Sequence, residues 1–292
     1  MKNVIHVGLG KCGSTFLQRH FFPNIPGYEF VSTYSGTEFP KELNFIYEIN
    51  KDFDSLDKNN NRALGRIGFK GSKLDNWKKL VDSYLNKKNS PILLSSEGLC
   101  GISYSPSRNN YDLGLLLKVL FGKSKIIFVY RKHADYLESL YRQLVFKEQR
   151  FGRYLDFSDF FSVEPTLEAL STPRDLDWSR CVRNYQDIFG KENVLAIPYE
   201  LMKTDLPRFV KELEEFISTT PRLNDEFWKT HENKSPSKAF LREKGILRRS
   251  RVREFSGLNL ETRNAIDEQF RADCRELAVI SGFDLASLGY VL

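Results

Sequence analysis

An α/β fold, built on a largely parallel sheet with helices on both faces, is predicted by three observations. Five short runs rich in β-branched residues recur along the chain. Stretches with apolar residues three and four apart lie between them. A glycine-rich turn joins the first run to the first such stretch. Strands that alternate with helices imply parallel pairing, and continuous apolar strands fit a sheet buried on both sides.

Taken in order, Val4 to Val7 reads as a strand, and Phe16 to Phe22 as a helical stretch behind the turn. Tyr28 to Ser32 is the second strand, and Lys51 to Ser72, polar and centred on NNNRALGRIG, an irregular insertion. Trp77, Leu80, Val81, Tyr84 and Leu85 mark a helix, Ile92 to Ser95 the third strand, and Leu113, Leu116, Leu117, Leu120 and Phe121 another helix. Ile126 to Tyr130 is the fourth strand, followed by a helix through Leu137, Leu140, Tyr141 and Leu144. Phe151 to Asp177, with Pro165 and Pro173, reads as irregular, and Val194 to Ile197 as the fifth strand. From about residue 206 the chain looks mainly helical, broken by Thr230 to Ser237, with a closing helix from about Leu260 to Ser281. One domain over residues 1–292 accommodates this order without internal repeats.

The 292 residues hold 44 Lys or Arg against 38 Asp or Glu, a formal charge of +6, which favours an anionic partner. The segment Lys234 to Arg253 carries eight basic residues and one acidic residue, Glu243, and so more than the whole excess. Charge gathered in one segment, with no recognised nucleic-acid module beside it, argues against nucleic acid as the partner. That segment is a lid over bound phosphates, a surface for an anionic glycan, or a solvated amphipathic helix. No apolar run reaches the roughly 18 to 20 residues of a membrane span. MKNVIHVGLG leads straight into a strand rather than reading as a signal peptide. Cys12, Cys100, Cys181 and Cys274 lack the spacing of a zinc site or a disulfide framework, which suits a reducing cytoplasmic setting.

The most informative segment is His6 to Gln18, HVGLGKCGSTFLQ. A strand, a glycine turn and a helix start aim backbone N–H groups at a small concavity, which suits a phosphate or sulfate. Gly8 and Gly13, followed by Ser14 and Thr15, nearly match the P-loop of nucleoside triphosphatases. The lysine that should directly precede the Ser/Thr pair is absent, and the loop's lysine is Lys11. No apolar strand ends plainly in the aspartate that would help hold Mg²⁺, and IIFVY runs instead into Arg131. These features predict metal-free, anion-directed chemistry. Arg131 at a strand end and Ser139 about two turns into the next helix can reach one phosphate together.

At these residues the sequence resembles the sulfotransferases that use 3′-phosphoadenosine 5′-phosphosulfate (PAPS). The family's 5′-phosphosulfate loop is similar to GLGKCGSTFLQ, and its 3′-phosphate element to Arg131, Ser139 and Tyr141. FGKENVLAIPYELMKTD (Phe189 to Asp205) and the closing LAVISGFDLASLGY add to the likeness, which is closer to bacterial and carbohydrate-type members. The resemblance implies a P-loop-type three-layer sandwich with a five-stranded parallel sheet. It also implies that Lys11, Cys12, Gly13, Ser14 and Thr15 bind the 5′-phosphosulfate and that Arg131 and Ser139 bind the 3′-phosphate. Cys12, where a hydroxyl or other small residue is commoner, and His133, where a proline is common, depart from the pattern.

Lys11 is then the group that stabilises or protonates the leaving phosphate oxygen. An acceptor hydroxyl or amine needs a base, and Glu97 follows the buried run PILLSS at the sheet edge where open α/β sheets bind ligands. A glutamate there can equally cap or salt-bridge the loop. His20 is the runner-up base, while His6 and His133 read as structural. Phe151 to Phe161 can stack on sugar faces, pack in the core, or gate the acceptor. The acceptor expected is a glycan or glycolipid. A small-molecule kinase and a non-catalytic nucleotide- or polyanion-binding protein are the alternatives. Neither a metal nor a cofactor other than PAPS is expected.

Overall fold

The computed structural model describes residues 1–33, 39–48, 72–101, 103–147, 156–163, 171–229 and 257–292. Five strands form one sheet: β1 (Asn3–Gly8), β2 (Glu29–Ser32), β3 (Ile92–Ser95), β4 (Ser124–Tyr130) and β5 (Val194–Pro198). The order is β2-β3-β1-β4-β5 and every pair is parallel. All five expected strands are present. Val4, Ile5, His6 and Val7 are fully buried, because β1 is the central strand and helices cover both of its faces.

From β1 the chain runs out to the edge strand β2, returns to β3 beside β1, then crosses to β4 and β5 on the other side. The C-terminal end of β1 is therefore the topological switch point, where open α/β sheets leave a crevice for a ligand. Register sets the flanks of that crevice: His6 lies beside Ser95 of β3 and Ile127 of β4, and Tyr130 of β4 beside Pro198 of β5.

The helices among the described residues include α1 (Ser14–Phe16), α2 (Ser72–Asn86), α3 (Pro106–Phe121), α4 (His133–Tyr141), α5 (Phe157–Phe160), α6 (Trp178–Phe189), α7 (Tyr199–Thr204), α8 (Leu206–Ile217), α9 (Asp225–Lys229), α10 (Leu260–Gln269) and α11 (Arg271–Ser281). Helices α3 and α6 pack closely at Gly114, where a Cβ would stand 2.7 Å from Ile188 Cδ1 and displace that side chain. Asp177 caps α6 by accepting from Arg180 N at 2.8 Å.

Three expectations change. The stretch behind the first loop is one short α turn that widens into a π turn, Leu17–Phe21, before Pro23 ends it in a 3₁₀ turn. The closing helix is two helices, because Phe270 leaves the helical conformation and its ring lies 3.7 Å from that of His133. Ser72, expected in the irregular insertion, opens α2; the rest of that insertion lies outside the described residues, as does the basic segment Lys234 to Arg253.

Candidate active site

Backbone crowding dictates the glycines of the first loop. Gly8 has φ +102°, and a Cβ there would lie 3.0 Å from both Cα and the carbonyl oxygen of Glu97, so only glycine lets the end of β1 approach the end of β3 this closely. A Cβ on Gly10 would meet Glu97 Oε2 at 3.0 Å. Gly13, φ +83°, immediately precedes α1, and a Cβ there would collide with Met202 Cε at 2.6 Å and approach Tyr199 Cε2 at 3.1 Å. Lys11 itself is left-handed, φ +66°. The loop is tied down at Leu9: its N–H donates to Val129 O at 3.2 Å, and its carbonyl accepts from the buried Ser14 hydroxyl at 3.0 Å. Thr15 is half-buried in the first helical turn. The first N–H groups of such a turn have no acceptor within it, which is what an anion-binding loop needs.

Cations line the β4–β5 side. Arg131 leaves β4, and its Nη1 donates to Lys11 O at 3.0 Å, so the guanidinium lies on the loop itself. Its Cζ is 5.0 Å from the centroid of Tyr199, and its Nε is buried without a hydrogen-bond partner among the described residues. Tyr199 opens α7, and Lys203, one turn later, places Nζ 4.8 Å from the same ring centroid. Burial, and then the charge of Arg131, hold the Lys203 pKa below its ordinary value. Glu200, buried, accepts from Lys132 N at 3.2 Å and from Tyr290 O–H at 2.6 Å, which fastens the C-terminal tail beside Arg131.

Ser139 is half-buried on α4 and shares no hydrogen bond with Arg131 among the described residues. Its neighbour Glu138 accepts from Arg263 at 2.7 Å and Arg142 at 2.9 Å, which draws α10 onto this helix. Tyr141 is buried, its ring 5.3 Å from that of Phe157 and 5.4 Å from that of Phe160. The described aromatics of Phe151 to Phe161 thus pack in the core; residues 151–155 lie outside the described residues.

The β3 side carries the opposite charge. Glu97 is exposed and opens a 3₁₀ turn, Glu97–Cys100, directly over the loop glycines. Behind it, His6 Nδ1 lies 2.7 Å from Ser95 Oγ, which also accepts from Gln18 Nε2 at 2.9 Å. Complete burial lowers the His6 pKa to about 3, so this imidazole stays neutral. His20 sits on the π turn with its ring 5.7 Å from that of Phe16. It lies six residues past Ser14, roughly 9 Å along a helical path, whereas Glu97 touches the loop.

His133 is structural. Its Nε2 lies 2.9 Å from Leu176 O and 3.1 Å from Asp273 Oδ2, and its ring stacks between Phe270 and Trp178. Trp178 Nε1 in turn donates to Arg131 O at 3.0 Å. Cys12 is fully buried and burial pushes its thiol pKa well up, so it serves as a small loop residue rather than as a reactive thiolate. Among the described residues no group of three or more His, Cys, Asp or Glu is placed to hold a metal, and no helix is long and apolar enough to cross a membrane.

Sequence reading missed Tyr199 and Lys203. The available signal was an aromatic and a cation one turn apart directly after a buried strand, in VLAIPYELMK.

A parallel sheet with a glycine-rich loop at its switch point and an arginine on the neighbouring strand end defines a P-loop-type anion-binding protein. The chain belongs to the sulfotransferase family, whose model, described as the sulfotransferase domain, matches residues 2–238. Its members take PAPS as the sulfuryl donor, and the chain is accordingly a PAPS-dependent sulfotransferase. Among solved structures, a sulfotransferase from Alicyclobacillus acidocaldarius is 17% identical, with a TM-score of 0.57 over 99% of this chain and 98% of that one. A mouse sulfotransferase, SULT7A1, complexed with PAP, is 15% identical, with a TM-score of 0.47 over 96% of this chain and 87% of that one. The first likeness speaks for the fold. No curated protein matches the chain by sequence.

Proposed function

We propose that this sulfotransferase moves the sulfuryl group of PAPS to a hydroxyl or amine of a carbohydrate acceptor by in-line, metal-independent displacement. The observation that carries the proposal is Glu97, an exposed residue whose backbone lies against Gly8 and whose carboxylate lies against Gly10 of the phosphate loop, while Arg131 bonds the same loop at Lys11 O. Backbone N–H groups from Lys11 to Thr15 hold the 5′-phosphosulfate. Ser14 acts through its backbone, because its hydroxyl proton is committed to Leu9 O. Arg131 and Ser139 hold the 3′-phosphate.

Glu97 accepts the acceptor's proton as its oxygen or nitrogen bonds to sulfur. The bond between sulfur and the bridging phosphate oxygen breaks, and Lys11 balances the charge that develops on that oxygen. A sulfuryl group carries less negative charge than a phosphoryl group, so one ammonium and backbone N–H groups suffice for this step. The carbohydrate acceptor rests on the likeness of the loop and of Glu97 to carbohydrate-type members.

Transfer of label from radiolabelled PAPS to a panel of glycans, glycolipids, phenols and amines, without added metal, tests the acceptor class. In the same assay Glu97→Gln is expected to lower kcat about 100-fold, the span of a general base, with PAP affinity unchanged. Wild-type turnover in that variant would remove Glu97 from the mechanism.

A further inference from the structure

Arg131 and Lys203 crowd one aromatic ring. The two residues of α7 that matter, Tyr199 and Lys203, are four apart and so share a helix face. Nζ of Lys203 is 4.8 Å and Cζ of Arg131 5.0 Å from the Tyr199 centroid, so the ring orders two cations at the mouth of the loop. Tyr199 is itself pinned, since it packs against Gly13 where α1 begins.

The acidic neighbours are already engaged. Glu200 accepts from Lys132 N and the Tyr290 hydroxyl, and Asp135 pairs with Arg263 and with Lys132. Neither Arg131 nor Lys203 forms an ion pair with a carboxylate among the described residues, and the buried Nε–H of Arg131 has no acceptor there. Like charges held together at a partly desolvated site are costly unless an anion lies between them. Elsewhere on the surface the lysines pair readily, as Lys211 does with Glu215.

We propose that Lys203 is a second cationic ligand of the donor phosphate that Arg131 binds, the 3′-phosphate of PAPS. This assignment rests on the donor site described above. The ammonium reaches the phosphate from α7 while the guanidinium reaches it from the end of β4. Tyr199 sets the separation of the two, and the phosphate dianion neutralises both. Recognition of the 3′-phosphate is thereby shared between two strand ends, those of β4 and β5, and discriminates PAPS from nucleotides with only a 5′-phosphate.

Calorimetric titration of the intact protein with PAP and with adenosine 5′-phosphate tests the assignment. Lys203→Gln is expected to weaken PAP about tenfold and adenosine 5′-phosphate less than about twofold, the loss of one charge-assisted contact confined to the 3′ end. Lys203→Arg should restore PAP affinity to within about threefold of wild type, and Lys211→Gln, on an exposed face of α8, should leave both nucleotides unchanged. Thermal unfolding of each unliganded variant reports whether the fold is intact, and the arginine variant keeps the test meaningful if the glutamine variant unfolds. Equal weakening of both nucleotides, or unchanged PAP binding, overturns the role of Lys203. A wild-type protein that fails to bind PAP at all overturns the donor site itself.

Discussion

The two sides of the phosphate loop are built to opposite specifications. On the β4–β5 side Arg131, Tyr199 and Lys203 gather positive charge, and Arg131 is fixed by its bond to the loop backbone and by Trp178 on its own carbonyl. On the β3 side stands one exposed acidic residue, Glu97, with its carboxylate against Gly10 of the loop. Each side also rests on a buried histidine, and the two differ in kind. His133 is paired with Asp273 and stacked between aromatic rings, whereas His6 is neutral in a small network with Ser95 and Gln18. On the mechanism proposed above, the fixed charge of the first side holds the donor and the carboxylate of the second takes up the acceptor's proton.

Removing the charge on one side breaks the comparison most severely. Arg131→Ala should weaken PAP by more than about 100-fold, because it deletes both the phosphate ligand and the bond to Lys11 O. Equal affinity in a calorimetric titration would refute the role of Arg131. The support behind that side comes next. His133→Phe keeps an aromatic ring in the stack but leaves Asp273 with the backbone N–H groups of Trp178 and Ser179, at a cost of about 2 kcal/mol in urea unfolding. A loss below about 1 kcal/mol would show that the His133–Asp273 pair is not what braces α11 against α4.

The smallest effect sharpens the contrast through pH. His6 has a folded-state pKa near 3 against an ordinary 6.5, so the unfolded chain takes up the proton first as pH falls. Stability is therefore lost from about pH 6.5 downward on account of His6, by about 1 kcal/mol between pH 6 and pH 5. Asp273 works in a lower window. Burial alone would raise its pKa, but hydrogen bonds and charge from His133, together with Ser179, hold it below 3.8. Its contribution is present above 3.8 and fades only as pH drops through that lowered value. Urea titrations across this range should show a shallower pH slope for His6→Gln than for wild type between pH 6 and pH 5. Parallel slopes would mean that His6 is not the titrating group.

The frame of the molecule was legible in the sequence because buried parallel strands are written as short, mainly apolar runs, and NVIHVG, ILLS and SKIIFVY of β1, β3 and β4 are such runs. The loop was legible because close backbone approach leaves glycine as the only solution, and Glu97 because a carboxylate at the end of an apolar run marks the ligand edge of a sheet. Tyr199 and Lys203 were not legible in this way. They reach Arg131 only through the pairing of β4 with β5, across some 70 residues, and nothing local announces that meeting. The break at Phe270 was hidden for a similar reason: the apolar spacing continues through it, and the stack on His133 that accompanies the break belongs to another helix. That Arg131 would bond the loop's own backbone also depended on geometry, since its side chain spans from β4 to a carbonyl 120 residues earlier.

The central position of β1 has a consequence for how the molecule comes into being. β1 is made before both strands that flank it, β3 and β4, with His6 and Ser95 separated by 89 residues along the chain. Until those strands are made, Val4, Ile5 and Val7 have no sheet in which to hide, and closing such long loops is slow. The glycine-rich loop that follows β1 is thus made well before the sheet that positions it, and it takes its place only once β4 has been synthesised.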